Sequence, residues 1–239
     1  MIYQCYFQKA QKPTLFSYEP YKGFGLEVSV NKKLFLNCPE LSEHTARTQL
    51  TEYSAFLWHW RNDYLNPDDW IGFTSYRQLD KFKHVFETKD QVTELLKENK
   101  VVGWGQYQLH GKDGRDIPLS EQATICHPGL NEYIEDVFSR FEHTVPPEWY
   151  TKNTAFFANY WAMPVELFSD FMEFSWPMVE WSLENITDSA FYKNQPEYGT
   201  VSNDKAIGYF MERLFILWYL SRNLSPYNPS KPQALYHNG

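Results

Sequence analysis

Cysteine is scarce in this chain of 239 residues: Cys5, Cys38 and Cys126 are the whole supply. Three scattered cysteines make neither a disulfide framework nor a spaced metal site, and they fit a reducing compartment. Basic runs are missing too, and the formal net charge is −8. A nucleic-acid partner, which needs a stripe of cations against the phosphate backbone, is therefore not expected. The same acidic balance argues against broad binding to anionic membranes. No apolar run reaches the length of a membrane span. The amino end, Met1-Ile-Tyr-Gln-Cys-Tyr-Phe7, lacks the basic start and apolar stretch of a signal peptide. The expectation is a cytoplasmic protein, with peripheral membrane association left open. Also missing are a Gly-x-Gly phosphate loop, a Gly-x-Ser-x-Gly elbow and paired Cys/His ligands with zinc spacing.

What the chain does have is aromatic: 18% Phe, Trp and Tyr within 43% hydrophobic residues. Such side chains build cores, and Tyr and Trp also offer a polar edge to sugar or base faces. The length suits one large α/β domain. Residues 1–224 are expected to form it, and the Ser/Pro/Asn-rich stretch 225–239 to be a flexible tail with no core role.

The centre of the pattern is residues 48–77. Leu50, Tyr53, Leu57 and Trp60 recur at helical spacing and predict an amphipathic helix from about Thr45 to Asn62. Trp70 to Ser75 predicts a buried strand, with Tyr76 and Arg77 at its handover to a loop, where α/β proteins bind ligands. Further strands are expected at Ile2–Phe7, Phe24–Val30, Lys100–Gly105 and Thr154–Ala162, and a loop from Leu109 to Pro118. Helices are expected at Asp90–Asn99, with Asp90 as cap, at Leu119–His127 and at Leu130–Phe141. Another runs from Pro164 to Ser175, with Pro177 kinking or ending it, and a last one, capped by Ser202, runs from about Asn203 to Asn223.

Several residues could carry chemistry. Asp204 and Glu212 lie eight apart on the last helix, on one side, with Gly208 between them. A helix accepts glycine at a cost of about 1 kcal/mol, and close approach of a backbone or a ligand is one reason to accept it. The pair could supply a general base, or Glu212 could simply pair with Arg213 or Lys205. Glu52 is a carboxylate in an aromatic helix. Arg77 could clamp a phosphate or pair with Glu52. Asn159, inside an apolar strand, needs hydrogen-bond partners.

Four segments together resemble a known family. Its members carry a Glu-Leu-Thr-Ala-Leu-Tyr-Trp-x-Trp-Lys-Asn helix, then Tyr-Ile-Gly-Leu-x-His-Tyr-Arg-Arg-Tyr-Phe. This chain has Glu52-Tyr-Ser-Ala-Phe-Leu-Trp-His-Trp-Arg-Asn62 and Trp70-Ile-Gly-Phe-Thr-Ser-Tyr-Arg-Gln78. The family's Asn-Met-Phe-Ile-Met-Pro-x-Glu-x-Phe is similar to Asn159-Tyr-Trp-Ala-Met-Pro-Val-Glu-Leu-Phe168, and its Gly-Tyr-x-x-Glu-Arg-Leu helix to Gly208-Tyr-Phe-Met-Glu-Arg-Leu214. The family is that of glycosyltransferases from capsular and O-antigen polysaccharide loci, long known only as a domain of unknown function. The chain departs from it at Ser75 and Gln78, where His and Arg are usual.

The resemblance implies a GT-A-like α/β fold: a mixed, mainly parallel sheet flanked by helices, with a helical C-terminal part. It implies a nucleotide-sugar donor and a saccharide or lipid-linked saccharide acceptor. Glu52, Tyr76, Arg77, Asn159, Asp204, Glu212 and Arg213 would then gather at one cleft. Asp204 or Glu212 would act as base, Arg77 and Arg213 on the departing diphosphate, and Tyr76, Tyr160 and Trp161 on the sugars. The Asp-x-Asp element that holds manganese or magnesium in many such enzymes is absent. A divalent metal stays possible, and no metal ligand is assigned.

Overall fold

The computed structural model describes residues 1–27, 31–34, 36–42, 49–62, 65–194 and 206–237. A five-stranded sheet runs in the order β2-β1-β3-β7-β4. Its strands are β1 (Ile2–Tyr6), β2 (Tyr21–Gly25), β3 (Trp70–Ser75), β4 (Val102–Gly103) and β7 (Trp161–Pro164). β1 pairs in parallel with β2 and β3, whereas β7 runs antiparallel to both β3 and β4. Four of the five strands therefore point one way, which makes the sheet mixed and mainly parallel. A smaller sheet holds β6 (Thr154–Phe156), β5 (Gln106–Gly111) and β8 (Gln233–His237) in that order.

The helices are α1 (Tyr53–Arg61), α2 (Gln78–Lys81), α3 (Lys89–Glu98), α4 (Leu119–Cys126), α5 (Leu130–Arg140), α6 (Val165–Asn185), α7 (Ala190–Lys193) and α8 (Ala206–Ser221). The core joins the main sheet to α1, α6 and α8 through aromatic rings. Trp161 stacks on Phe215 of α8 at 5.5 Å and meets Phe56 of α1 and Phe73 of β3 at 5.1 Å each. Phe171 of α6 closes the group against Trp161 at 5.9 Å.

Several expectations are corrected. α1 is not amphipathic: every residue from Tyr53 to His59 is buried. The sheet takes one side, and the other is covered by α6, where the Tyr53 hydroxyl meets Ser175 at 2.5 Å. The residues before it from 45 to 48 lie outside the described ones, and Thr51, at φ 48°, precedes the helix proper. The second strand starts earlier, at Tyr21. The cap of α3 is Thr88, not Asp90: its hydroxyl accepts from the Gln91 amide. The loop expected from Leu109 begins as the end of β5.

Thr154–Ala162 is two strands. Ala158 and Asn159 have φ of 69° and 56°, a left-handed turn that ends β6 and re-aims the chain into β7 in the other sheet. Asn is among the few non-glycine residues that visit that region readily. Pro177 does not end α6. It and Glu173, whose carbonyl loses a partner to the proline, are both exposed, so water can serve that carbonyl. The stretch after Leu224 is not a structureless tail: Tyr227 bridges to Val102, and β8 pairs in parallel with β5. The expected cap Ser202 falls outside the described residues.

His59 of α1 sits in this core, 4% exposed. Tyr3 lies 3.9 Å from it centroid to centroid and Phe24 5.0 Å, and its Nε2 has no hydrogen-bond partner. Burial, helped by the nearby Lys22 and terminal ammonium charges, lowers the imidazole from 6.5 to about 3. The unfolded chain takes up a proton near pH 6.5 that the folded chain refuses. The stability involved is full above that pH and is lost as pH falls toward the folded value. At about 1.4 kcal/mol per pH unit, the native protein should lose about 2–3 kcal/mol more than a His59→Phe variant between pH 6.5 and about pH 4.5. Urea midpoints at the two pH values measure this; equal losses would show that His59 is protonated in the fold.

Candidate functional site

The strand order puts β2 and β3 on opposite sides of β1, so the chain direction switches between β1 and β3. Open α/β sheets bind ligands at such a point, outside the carboxyl ends of the strands. Here that edge is built tightly. Tyr76 N donates to Cys5 O at 2.9 Å. The buried Gln4 amide spans the edge, giving a hydrogen bond to Ser75 O at 3.3 Å and accepting one from Phe16 N at 2.8 Å. Ser75 Oγ and the Tyr160 hydroxyl meet at 2.6 Å, and Arg77 N donates to the same Ser75 oxygen at 3.2 Å. Tyr76 and Arg77 thus leave a rigid strand end: Tyr76 is half-buried and Arg77 exposed.

β3 and β7 pair Phe73 with Trp161. Asn159 directly precedes Tyr160, whose hydroxyl meets Ser75, so it lies in the turn next to this edge. It is 8% exposed, and its amide has no hydrogen bond among the described residues. Glu52 caps α1 without a side-chain hydrogen bond of its own, and its charge is felt at Cys5, Tyr160 and Glu212.

Glu212 comes to this edge from α8. Burial pushes its carboxyl above the ordinary 4.5, and the Glu52 charge adds to the effect. Arg213 and Lys81 pull the other way without winning. The side chain is still 34% exposed, and its Oε2 lies 3.4 Å from Arg213 Nη1. One turn earlier Gly208 faces open space, with no described atom within 4 Å of where a Cβ would stand. Close packing of a backbone is therefore not the reason for this glycine. Asp204 lies outside the described residues.

Other expected site residues are placed differently. Trp161 is fully buried among Phe56, Phe73, Phe171 and Phe215, so it is a core residue and not a platform for sugar. Tyr160 is 1% exposed and its hydroxyl is engaged by Ser75; it supports the edge from behind. Arg213, 2% exposed, lies over the Phe157 ring at 4.3 Å and donates to Gln122 Oε1 at 3.0 Å. It neighbours Glu212 and does not face the opening. Arg77 makes no ion pair with Glu52 or any other described residue.

Sequence reasoning missed the layer behind Glu212. Gln122 Nε2 donates to Cys126 Sγ at 3.3 Å, and Cys126 Sγ meets His237 Nδ1 at 3.0 Å. Glu212, Arg213, Gln122, Cys126 and His237 form one continuous chain of polar contacts ending in β8. Burial raises the Cys126 thiol and lowers the His237 imidazole, so the two sit there neutral. Cys126 and His237 are 111 residues apart, and nothing local in sequence signals the pairing. Lys81, four residues after Arg77, was also missed, although that spacing is visible in the sequence.

The fold defined by this sheet and its helices is glycosyltransferase-like. In particular, the chain is similar to the apo structure of the bifunctional glycosyltransferase WbbM. The TM-score is 0.55 at 13% sequence identity, over 99% of this chain and 45% of that one. The chain thus spans less than half the length of that protein, and at this identity the likeness is one of fold. No family model matches the sequence, and no curated protein matches it. Among the described residues no helix is long and apolar enough to cross a membrane.

The open space at Gly208 makes a direct test. Gly208→Ala should stabilise the protein by about 0.5–1 kcal/mol through helix propensity, read as a higher melting temperature. A loss of stability would mean that the space is filled in solution. Trp161→Ala should cost about 3–5 kcal/mol in urea unfolding, as loss of a large core side chain does; a cost below about 1 kcal/mol would put the ring back in the cleft.

Proposed function

We propose that this chain is a glycosyltransferase that moves a sugar from a nucleotide-sugar donor to a saccharide or lipid-linked saccharide hydroxyl, as a step in surface polysaccharide synthesis of the capsule or O-antigen kind. The observation that supports the reading most is electrostatic reach between distant segments: the Glu52 charge acts on Glu212 and on Tyr160, and the Arg77 charge acts on Tyr160, the neighbour of Asn159. The likeness of fold to WbbM supports it.

In this reading Glu212 takes the proton of the acceptor hydroxyl as its oxygen bonds to the anomeric carbon. The bond from that carbon to the diphosphate breaks, and the electron pair leaves with the phosphate. A carboxyl raised above its ordinary value by burial suits a base working near neutral pH. Arg77, an exposed and unpaired guanidinium, offers two parallel hydrogen bonds to phosphate oxygens. Tyr76 and the free amide of Asn159 are the sugar contacts. The reading carries a cytoplasmic location and leaves a divalent metal unassigned. Asp204 is retained as the second candidate base.

The competing reading is a non-catalytic carbohydrate-binding protein, favoured in sequence by Ser75 and Gln78. Both are buried and spend their side chains internally: Ser75 on Tyr160, and Gln78 on the Tyr21 hydroxyl at 3.3 Å and His84 O at 2.7 Å. Those departures therefore say little about ligand contacts.

Nucleoside diphosphates and nucleotide sugars should raise the melting temperature, by an amount that grows with the logarithm of ligand excess, with manganese present or absent. Shifts from oligosaccharides alone would favour the binding protein. Glu212→Gln should keep nucleotide binding and lower kcat by about 10²–10⁴-fold. The acid limb of kcat/KM in the native enzyme should lie above 4.5. Full turnover by the Gln variant would remove Glu212 from the mechanism.

A further inference from the structure

We propose that Lys81 and Arg77 together form a two-cation clamp for the diphosphate of the donor, an assignment that rests on the transferase reading. Arg213 was the second cation expected there, but it is buried, and its guanidinium is committed to Glu212, Gln122 and the Phe157 ring.

Lys81 stands where Arg213 does not. α2 opens directly from the end of β3, with Arg77 as its cap, and Lys81 N donates to Arg77 O at 3.0 Å. Residues four apart share a helix face, with Cβ atoms about 5–6 Å apart. That separation suits the two phosphoryl groups of one diphosphate. Both side chains are exposed, and neither has an ion pair among the described residues. The carboxylate beside them on α2 is Asp80, which is also unpaired.

The turn that carries them is anchored from below. Gln78 is fully buried, with its amide donating to the Tyr21 hydroxyl and to His84 O. Phe82, 2% exposed, meets Tyr160 at 5.6 Å and Tyr107 at 5.3 Å. Its ring lies so close to Gly105 that a Cβ there would stand 2.5 Å from it. Gln78 and Phe82 are thus spent on the core while Leu79 stays half exposed, and the two cations are left outward on a fixed base. They look onto the same cleft: Arg77 lies close enough to Tyr160, and Lys81 to Glu212, for their charges to act on those groups. In a chain of net charge −8, two unpaired cations stand at the strand ends, within electrostatic reach of the carboxylates of that cleft, where each can meet one phosphoryl group.

The test is calorimetric titration of the native protein, Lys81→Met and Lys81→Arg with inorganic pyrophosphate, nucleoside diphosphates and the matching nucleosides. Lys81→Met should weaken pyrophosphate and nucleoside diphosphate binding at least tenfold and leave nucleoside affinity within about twofold, while Lys81→Arg keeps most of the affinity. Unchanged diphosphate affinity in Lys81→Met overturns the clamp while leaving the transferase reading in place. Pyrophosphate binding that depends on Lys81, with no nucleotide bound by the native protein, upholds the clamp and sinks the donor reading. A native protein that binds neither overturns the clamp.

Discussion

The contact on which the rest depends is Trp161 stacked on Phe215. It ties a strand of the main sheet to α8, and through Phe56 and Phe171 the same ring ties in α1 and α6. Glu52 stands at the start of α1 and Glu212 lies on α8 three residues before Phe215. Two carboxylates from distant parts of the chain are held at one cleft because their helices share this aromatic packing. Buried aromatic pairs contribute area and a geometric preference together, which suits a joint that must keep two helices at fixed height over a sheet edge.

The polar network is arranged in depth. At the front stand groups with unused hydrogen-bonding capacity: Arg77, Asn159, Lys81 and the open part of Glu212. Behind them stand buried groups with internal partners: Ser75 with Tyr160, Gln4 with Ser75 and Phe16, and Arg213 with Gln122, its Nε alone being left without one. Burying a polar group without a partner costs free energy, so the satisfied layer can sit inside, and the unsatisfied one has to face water or a ligand. The contrast separates candidate contacts from supports more sharply than residue type does. Tyr76 and Tyr160 look alike in sequence, yet one is half-open and the other is sealed.

Much of the architecture was legible beforehand. β1, β3, α3, α4, α5 and α8 follow from hydrophobic period and turn residues, and the mixed, mainly parallel sheet follows from the resemblance. The misreadings have physical causes. An apolar run such as Thr154–Ala162 looks like one strand because a left-handed turn at Ala158–Asn159 leaves no mark in hydropathy. Pro177 ends helices in general, but here its orphaned carbonyl faces water. The polar stretch after Leu224 reads as tail because β8 is an exposed edge strand whose pairing supplies backbone hydrogen bonds and little apolar burial.

By itself the sequence determined the chemistry on offer. It holds no cysteine framework, basic stripe, phosphate loop or Asp-x-Asp, and it has one carboxylate where a helix starts, one arginine where a strand ends and a second carboxylate within the last helix. It also determined local structure, because helix and strand periods and caps are properties of neighbouring residues. Which groups face the cleft was decided only by tertiary structure. Trp161 lies inside, Arg213 is enclosed beside Glu212, Lys81 stands beside Arg77 at the opening, and His237 reaches Cys126 across 111 residues. Orientation and desolvation depend on packing between segments far apart in the chain, and no local pattern encodes that packing.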